Sequence, residues 1–375
     1  METILITGGA GFIGGYIAEK LHDKGYKIIV YDNLSPQVHG NNADLPDYLK
    51  EKVEFIKADV RDIEQFKNAI QKSDKIIHLA AETGVGQSMY EIDRYVDVNV
   101  RGTSILWDIL ANEKHNIKKV VLSSSRAVYG EGKYKCKNCG IIYPRGRSKH
   151  DLEKGRWDVY CPNCNKKLEV MPTAEDSILT PASIYAVTKK TQEEICMIMG
   201  KSLGIPVSIL RYQNVYGPRQ SLNNPYTGII TIFTNRLKEN KPINIYEDGY
   251  ESRDFVYVED VADGTILALE KVEANYEIFN IGYGKLTTIR QVAEIITNYI
   301  NRELRPVISG NFRLGDIRNN YADISKANKL LGYHPKYSIE EGIKSFIEWA
   351  IKQESKDDSL KAEEELKRRG LFGEA

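Results

Sequence analysis

Tyr185 and Lys189 are spaced as a proton-transfer pair. They lie four residues apart in a stretch, 185–203, whose pattern predicts a helix, so both side chains fall on one face, one turn apart. A free phenol has a pKa of about 10 and is a poor base at neutral pH, but a neighbouring ammonium favours the phenolate. The pair therefore predicts a catalytic base, against the alternative of a surface pair without a function.

A run of three serines, Ser123, Ser124 and Ser125, stands at the end of the fifth predicted strand. In open α/β sheets, ligands bind in the crevice at the carboxyl ends of the strands. A serine at that edge can hydrogen-bond both a reacting hydroxyl and the tyrosine. We therefore expect one of the three to act together with Tyr185.

A glycine-rich loop follows the first predicted strand and opens the first predicted helix. Its glycines are Gly8, Gly11 and Gly14, a spacing that permits a tight turn, a close approach of pyrophosphate to the backbone, and close packing of helix on strand. Asp32 ends the second strand about 20 residues further on, where a carboxylate accepts ribose hydroxyls and repels a 2′-phosphate. Asp59, after the third strand, suits an adenine amino group. The pattern predicts an NAD site rather than an NADP site; the alternative is a glycine-rich turn that binds nothing.

The elements that must position these residues alternate between strands and helices. This alternation is typical of βαβ units and of a parallel, doubly wound sheet of the Rossmann type. The predicted strands are 4–7, 27–31, 53–58, 75–79, 118–123 and 207–210, and the predicted helices are 12–24, 63–71, 92–115 and 185–203.

The chain divides into regions that differ in composition and in the pattern of apolar residues. We predict an NAD-binding domain over residues 1–211, interrupted by a cysteine-containing insert at 131–174, and a smaller mixed α/β domain for the substrate, mainly over 212–350. Residues 351–375 are rich in Lys, Glu and Leu, which predicts a charged, solvated helical tail.

Composition excludes several classes of protein. The 375 residues carry 52 Lys and Arg against 52 Asp and Glu, so the formal net charge is zero, which excludes an overall basic nucleic-acid binder. No run approaches the roughly 18–20 apolar residues of a membrane helix. The start does not resemble a signal peptide, and we expect a cytoplasmic protein without membrane or nucleic-acid partners.

Four of the five cysteines form two Cys-x-x-Cys pairs, Cys136 with Cys139 and Cys161 with Cys164. Two such pairs predict a tetrahedral, structural Zn²⁺ site in a ribbon-like insert, with two disulfides as the alternative. The fifth, Cys196, is expected to be a buried small apolar residue. Because the insert leaves the chain after Ser125 and returns before Tyr185, it must lie near the mouth of the site. It either contacts the substrate domain or a dimer partner, or is an outgrowth that stabilises only itself.

The combined motifs resemble the extended short-chain dehydrogenase/reductase family of nucleotide-sugar epimerases and dehydratases. The resemblance covers residues 2–350 apart from the insert. It rests on Thr7–Gly14, Asp32, His78-Leu79-Ala80-Ala81, Asn99, Ser125, Tyr185 with Lys189, and Arg253-Asp254-Phe255-Val256.

This resemblance implies tightly bound NAD, a nucleoside-diphosphate sugar as substrate and a homodimer formed through paired helices. The catalytic residues it implies are Ser125, Tyr185 and Lys189. The implied cofactor-binding residues are Gly8, Gly11, Phe12, Ile13, Gly14, Asp32, Asn33, Asp59, Val60, Leu79, Ala80, Ala81, Asn99, Tyr185 and Lys189. The implied substrate-binding residues are Thr83, Gln87, Ser125, Arg126, Asn214, Arg219, Arg253 and Arg313, in which the guanidinium groups suit a diphosphate.

Two residues indicate which member of the family this is. The 4,6-dehydratases of the family follow the catalytic Ser or Thr with an Asp-Glu pair, whereas here Arg126 and Ala127 follow Ser125, which favours epimerisation. The stretches 81–89 and 125–136 resemble dTDP-L-rhamnose 4-epimerases, so we expect epimerisation at C4 of a dTDP-6-deoxyhexose through a 4-keto intermediate. The alternatives are a C4 or C2 epimerase of a UDP-, CDP- or GDP-sugar, a 4,6-dehydratase, and a non-enzymatic NAD-binding scaffold with a zinc ribbon.

Overall fold

The computed structural model describes residues 1–41, 43–224, 226, 228–357 and 359–375. Its centre is a seven-stranded sheet in which every neighbouring pair is parallel. In spatial order the strands are Glu277–Ile281, Val207–Tyr212, Lys119–Ser125, Lys75–His78, Thr3–Thr7, Lys27–Asp32 and Glu54–Lys57. Helices pack on both faces, and the predicted Rossmann-type α/β class is confirmed.

The order of the strands creates a crevice. The chain builds outward from Thr3–Thr7 to one side and then crosses to Lys75–His78 on the other side, so the order reverses between these two strands. Ligands of open α/β sheets bind at such a reversal. The glycine loop follows the first of these strands.

Two strands run further than predicted, toward the crevice. The strand Lys119–Ser125 includes all three serines, and Val207–Tyr212 extends two residues beyond the predicted 207–210. Serine has a weak intrinsic preference for β-strands. The strand extends to Ser125 because this residue pairs with Tyr212 of the neighbouring parallel strand. Ser125 is therefore the last residue of its strand.

The predicted helix 92–115 is interrupted by a wider turn. It consists of the helix Ile92–Tyr95, a π-helical stretch Val96–Arg101 and the helix Gly102–Asn112. Asn99 lies in the middle of the wide turn, where its side chain accepts a hydrogen bond from the backbone N–H of Glu82 at 2.8 Å. Short π-helical stretches of this kind often occur at functional sites. The spacing of apolar residues in the sequence does not predict them.

The helix that carries Tyr185 and Lys189 runs over Ile184–Leu203. It begins where the Ser183 side chain accepts a hydrogen bond from the backbone N–H of Ala186, and it ends at Gly204. Gly204 adopts a left-handed φ of 69°, which favours glycine at the end of a helix. Tyr185 thus lies in the first turn, at the crevice.

The remaining elements belong to the flanking helices, the second region, the insert and the tail. The other helices of four residues or more are Phe12–Asp23, Pro36–His39, Ile63–Gln71, Val85–Ser88, Lys149–Leu152, Ile229–Lys238, Val258–Glu270, Ile289–Ile300, Ser325–Leu331, Ile339–Ala350 and Ser359–Arg368. Short strands are Tyr134–Cys136, Gly140–Ile142, Glu169–Val170, Asn214–Tyr216, Asn244–Ile245, Ser252–Arg253, Phe255–Tyr257, Thr287–Thr288, Val307–Ile308, Asn311–Arg313, Asn319–Asn320 and Phe372–Glu374. Among the described residues, no helix combines the length and apolar character needed to cross a membrane.

Three observations bear on the predicted regions. The seventh strand of the main sheet, Glu277–Ile281, comes from the 212–350 region and joins it to the first domain. The insert holds a three-stranded antiparallel sheet whose strands are too short to show a period in the sequence. The tail forms a helix, but its Leu366 is only 6% exposed, and the tail continues into the strand Phe372–Glu374, which pairs with Asn311–Arg313.

Candidate active site

The glycine loop is shaped by two close approaches. Gly8 has a φ of 70°, and a Cβ added there would lie 2.9 Å from the backbone N of Ala80. A Cβ at Gly14 would lie 2.3 Å from the carbonyl oxygen of Gly8. Both positions therefore require glycine, and the loop stays free of side chains where a pyrophosphate would approach.

Asp32 lies buried at the end of the second strand. Its carboxylate accepts hydrogen bonds from the backbone N–H groups of Ala10 at 3.1 Å and Leu34 at 2.9 Å. Burial raises the pKa of Asp32, while these hydrogen bonds and the nearby His39, 3.8 Å away, oppose the shift. The carboxylate is thus fixed beside the glycine loop, in the position expected for a ribose acceptor.

Asp59 is held ionised at the next strand end. The guanidinium of Arg61 donates to it from Nε and Nη2, both at 2.7 Å, and the side chain of Asn33 donates at 2.9 Å. The Arg61 hydrogen bond is the main cause that lowers the pKa of Asp59 to about 2. The carboxylate is therefore an acceptor at neutral pH.

A cavity of about 370 Å³ joins these groups to the catalytic set. The catalytic residues predicted from the sequence, Ser125, Tyr185 and Lys189, all line it, as does Thr83. So do the other predicted cofactor residues apart from Asn99, namely Gly8, Gly11, Phe12, Ile13, Gly14, Asp32, Asn33, Asp59, Val60, Leu79, Ala80 and Ala81. A glycine cradle and two carboxylates around one cavity fit a dinucleotide.

Tyr185 is half-buried beside one hydrogen-bond partner and one cation. Burial raises the pKa of its phenol, whereas a hydrogen bond with Ser125 and the charge of Arg126 lower it. Lys189 instead donates from Nζ to the carbonyl oxygen of Ser123 at 2.9 Å. Burial lowers the pKa of Lys189 to about 8. The cation that favours the phenolate is thus Arg126, a role that the sequence reasoning did not give it.

Arg126 and Asn214, both predicted at the substrate end, are brought together. The Nε of Arg126 donates to the Asn214 side-chain oxygen at 3.1 Å. Burial lowers the pKa of Arg126 to about 9, and the charge of Arg253 acts in the same direction. The half-buried Arg126 and the buried Arg253 thus leave a positive region next to Tyr185.

Arg253 and Arg313 lie on the second region. Arg253 donates to the backbone carbonyl oxygens of Ile317, at 2.8 Å, and Arg318, at 3.0 Å, so its orientation is fixed by the chain. The guanidinium of Arg313 lies 5.1 Å from the ring centre of Tyr246, and its Nε is 3.7 Å from Asp316. That Nε is buried without a hydrogen-bond partner among the described residues.

Three predicted site residues point elsewhere. The Asn99 side chain joins the backbone of Glu82 to Thr188, and Gln87 is 3% exposed and bonded to Gln37, Glu91 and Tyr95. Arg219 lies over the Tyr48 ring at 3.8 Å and pairs with Glu19. For these residues, direct contact with cofactor or substrate stays a prediction.

Comparison with known proteins decides the family. Residues 4–282 match the NAD dependent epimerase/dehydratase family. The chain belongs to this family. The resemblance drawn from the motifs is confirmed, and the protein is an NAD-dependent epimerase, which makes it an isomerase.

Relatives of this epimerase cover almost its whole length. The dTDP-L-rhamnose 4-epimerase of Burkholderia thailandensis is 41% identical over 355 residues, 94% of this chain and 96% of that protein. The UDP-glucuronate 4-epimerase of Thermodesulfobacterium geofontis is 33% identical over 356 residues, 93% and 96% of the two chains.

Solved structures share the fold of this epimerase. The UDP-glucose 4-epimerase of Thermotoga maritima, with UDP-glucose, superposes with a TM-score of 0.76 at 32% identity, covering 93% of this chain and 98% of the other. The UDP-glucuronic acid 4-epimerase of Bacillus cereus, in complex with UDP-glucuronic acid and NAD, gives 0.74 at 28% identity, covering 94% and 99%.

The four paired cysteines of the epimerase converge in the insert. Their sulfur atoms all lie within 4.8 Å of one another, and those of Cys136 and Cys164 are 3.5 Å apart. Zn–S bonds of about 2.3 Å in a tetrahedron put sulfur atoms roughly 3.8 Å apart. The donor set and its spacing therefore fit Zn²⁺. Cys196 is apart from them, fully buried, and accepts a hydrogen bond from Trp107 at 3.2 Å.

The insert contacts the second region of the epimerase. The side chain of Arg147 is 3% exposed, pairs with Glu247 at 2.6 Å and donates to the backbone carbonyl of Asp316 at 3.0 Å. The ring of Trp157 packs on Phe312 with centres 6.2 Å apart. The insert thus contacts residues of the 212–350 region, through both an ion pair and a ring contact.

Sequence reasoning missed two groups of the site. His39 lines the cavity beside Asp32, but a histidine at the end of a four-residue helix carries no pattern that identifies it. Glu193 receives a bidentate ion pair from Arg211, at 2.7 and 2.9 Å, and a hydrogen bond from Ser124. The position of Glu193, two turns after Tyr185 on the same helix, could have indicated a buried partner for the serine run.

Proposed function

We propose that the substrate of this epimerase is a dTDP-6-deoxyhexose such as dTDP-L-rhamnose, inverted at C4. The observation that carries the proposal is the 41% identity, over 94% of this chain, to a dTDP-L-rhamnose 4-epimerase. The cavity supports it, because Ser125, Tyr185 and Lys189 line it together with the glycine loop.

The proposed reaction begins with proton transfer to Tyr185. The phenolate accepts the proton of the sugar 4-hydroxyl, and Ser125, bonded to Tyr185, orients that hydroxyl. NAD, when bound, supplies the hydride acceptor and donor for sugar C4. Tyr185 later returns its proton to the 4-keto oxygen after the sugar has presented its other face.

We propose that Lys189 positions the cofactor. Its Nζ is anchored on the carbonyl of Ser123 beside the cofactor cavity, and its remaining N–H groups can donate to a ribose. A pKa of about 8, set by burial, leaves it largely protonated at neutral pH. We propose that it holds the nicotinamide end of the cofactor near Tyr185.

A negative diphosphate suits the cationic end of the site. Arg253 is buried and Arg126 and Arg313 are half-buried, and a diphosphate would compensate charges that this burial otherwise makes costly. Asn214, bonded to Arg126, lies at the same end. We propose that these four residues bind the diphosphate region of the nucleotide sugar.

A dehydratase is the less supported alternative. Elimination of water needs an acid and a base, and the two residues after Ser125 are Arg126 and Ala127. The guanidinium of Arg126 is held by Asn214 and stays protonated at neutral pH, so it does not supply the base.

We further propose that the cysteine cluster holds structural Zn²⁺. Cys136, Cys139, Cys161 and Cys164 would supply four thiolates, which leaves no open position for a reactant. A filled tetrahedral site fixes the insert against the second region, where Arg147 and Trp157 make their contacts.

We also propose a homodimer formed through the helices that carry Ile92 and Tyr185. Large apolar side chains are exposed on both, with Ile198 63%, Ile92 51% and Val187 45% accessible. Sedimentation of Ile198→Glu against the parent protein tests this; a monomer is expected for the variant, and an unchanged sedimentation coefficient contradicts the proposed face.

One experiment tests the proposed reaction. The protein is incubated in deuterated water with dTDP-, UDP-, CDP- and GDP-sugars. We expect the C4 isomer of a dTDP-6-deoxyhexose with no solvent deuterium on the ring carbon, because the hydride returns internally. A 4-keto-6-deoxy product with deuterium at C6 indicates a dehydratase, a C4 isomer of another sugar corrects the substrate, and no product from any sugar contradicts the proposal.

A further inference from the structure

The C-terminal segment, residues 359–375, spans two sides of the site. On the side of the NAD-binding domain, Glu365 accepts hydrogen bonds from Tyr90 at 2.7 Å and Tyr226 at 2.8 Å. Leu366 is buried, and a Cβ added at Gly86 would lie 3.7 Å from its side chain. The helix Ser359–Arg368 therefore packs on the segment that follows Thr83, which includes the helix Val85–Ser88.

On the side of the second region, the same helix reaches Tyr246. Glu363 accepts a hydrogen bond from the Tyr246 hydroxyl at 2.9 Å, and the Phe372 ring packs against Tyr246 with centres 5.3 Å apart. Tyr246 in turn faces the guanidinium of Arg313 at 5.1 Å. The charge of Glu363 also acts on the pKa of Arg313.

The segment then adds a strand to the one that carries Arg313. Phe372 lies opposite Arg313, and Gly373 lies opposite Phe312, in an antiparallel pair. A Cβ at Gly373 would lie 2.4 Å from the Phe312 ring, so this approach requires glycine. Because Trp157 of the insert packs on the same ring, Phe312 is held by the insert and by the tail.

The contacts of the segment lead to Arg313. The Arg313 guanidinium faces Tyr246, and the Tyr246 hydroxyl donates to Glu363. The strand that carries Arg313 also pairs with Phe372–Glu374. The tail therefore surrounds Arg313, which the proposed function places at the diphosphate.

We propose that residues 359–375 form the outer wall of the nucleoside-diphosphate site, and that Glu363, Glu365 and Gly373 are positioning residues for Arg313 and the segment that follows Thr83. This inference rests on the proposed function, since it takes a nucleoside diphosphate as the occupant. A binding role at this end predicts an effect on affinity for the nucleotide and not on the chemical step.

The test compares carboxylates of one helix. The double variant Glu363→Ala/Glu365→Ala removes both carboxylate acceptors, and Glu364→Ala, at an exposed position between them, is the matched control. Affinity of the NAD-loaded full chain for dTDP and for UDP is measured by calorimetry, together with KM, kcat and NAD content. We expect roughly tenfold weaker binding of the preferred diphosphate and a similar rise in KM for the double variant, with kcat, NAD content and the control unchanged.

Two results overturn the inference. One is unchanged affinity and KM in the double variant, and the other is an equal loss of kcat and NAD content, which indicates a general structural role. Gly373→Ala, which pushes against the Phe312 ring and leaves the acceptors on the helix intact, keeps the test available if the double variant does not fold, and it should weaken binding of the same diphosphate. Calorimetry measures binding without turnover, so it separates this inference from the proposed function. A parent chain that binds a diphosphate but converts no sugar contradicts the proposed function, and the same comparison of variants still tests the role of the tail.

Discussion

The guanidinium of Arg126 lowers the pKa of the Tyr185 phenol, although Lys189 is the cation that the Tyr-x-x-x-Lys spacing indicated. Arg126 is held in place by the side chain of Asn214, which lies 88 residues further along the chain. The base, its cation and the expected diphosphate site are thus linked through one side chain. This link makes the acidity of Tyr185 depend on a residue at the substrate end.

Arg126→Gln should shift the pH dependence of kcat/KM. The active form is the phenolate, so the rate is lost as pH falls below the pKa of Tyr185. Removing a positive charge raises that pKa, and the acid limb should move to higher pH by roughly one unit. The pH profile of kcat/KM over pH 5 to 10 measures the shift.

Arg126→Lys is the matched control. It keeps the positive charge but loses the fork that reaches Asn214. Its acid limb should stay close to that of the parent protein, even if KM rises. Equal shifts in the Gln and Lys variants would show that the charge is not the cause.

Tyr185→Phe should abolish turnover and keep the cofactor. Loss of the general base is expected to lower kcat by about 10² to 10⁴, whereas the glycine loop and Asp32 are untouched. Released NAD is measured after denaturation, alongside turnover of the nucleotide sugar.

Tyr212→Phe is the control for that prediction. Tyr212 lines the same cavity, but its hydroxyl lies 2.7 Å from that of Thr265 and faces away from the proposed reaction. Its kcat should remain within a few-fold of the parent value. A Tyr185→Phe variant with full activity, or a Tyr212→Phe variant as inactive as Tyr185→Phe, would contradict the assignment of the base.

Much of this arrangement was predictable because it depends on neighbours in the sequence. The glycine spacing, Asp32 at a strand end, and Tyr185 with Lys189 on one helix each follow from local rules of turn and helix geometry. Parallel pairing then brings the ends of the strands to one edge. The cofactor cavity is lined accordingly by all but one of the residues expected to bind NAD.

The sequence did not predict the orientation of several side chains, because that orientation depends on contacts with distant segments of the chain. Arg253 donates to carbonyls about 65 residues away, and Asn99 is turned toward Thr188 by a π-helical stretch. Arg219 lies on Tyr48, which belongs to another region of the chain. The direction of a long side chain is decided by such contacts, and a motif gives only its position.

Asp254→Ala should destabilise the fold strongly. The carboxylate is fully buried and accepts hydrogen bonds from the backbone N–H groups of Tyr283 at 2.7 Å, Gly284 at 2.9 Å and Ala322 at 3.2 Å. Alanine would leave three buried donors unpaired, at about 1–3 kcal/mol each when no water replaces the acceptor. We expect the free energy of unfolding to fall by about 3–5 kcal/mol, measured by urea denaturation.

Asp263→Ala is the comparison for that experiment. Asp263 pairs with Lys20 at 2.6 Å and Lys336 at 2.8 Å, but its side chain is 30% exposed and that of Lys336 is 68% exposed. Exposed pairs contribute about 1 kcal/mol or less, so this variant should be only slightly destabilised. A loss for Asp254→Ala no larger than that for Asp263→Ala would show that the buried acceptor is not what stabilises this part of the fold.

Loss of zinc from the cysteine cluster should weaken substrate binding without releasing NAD. The cluster stabilises an insert whose Arg147 and Trp157 contact Glu247 and Phe312, and Phe312 precedes Arg313. Cys136→Ser should bring bound zinc to near zero by elemental analysis and raise KM for the nucleotide sugar several-fold. The NAD content should stay unchanged, because the glycine loop lies elsewhere.

Cys196→Ala removes a cysteine outside the cluster and should retain zinc and the parent KM. A zinc-free protein with an unchanged KM would show that the insert does not hold Arg313, and retained zinc in Cys136→Ser would contradict the four-cysteine site.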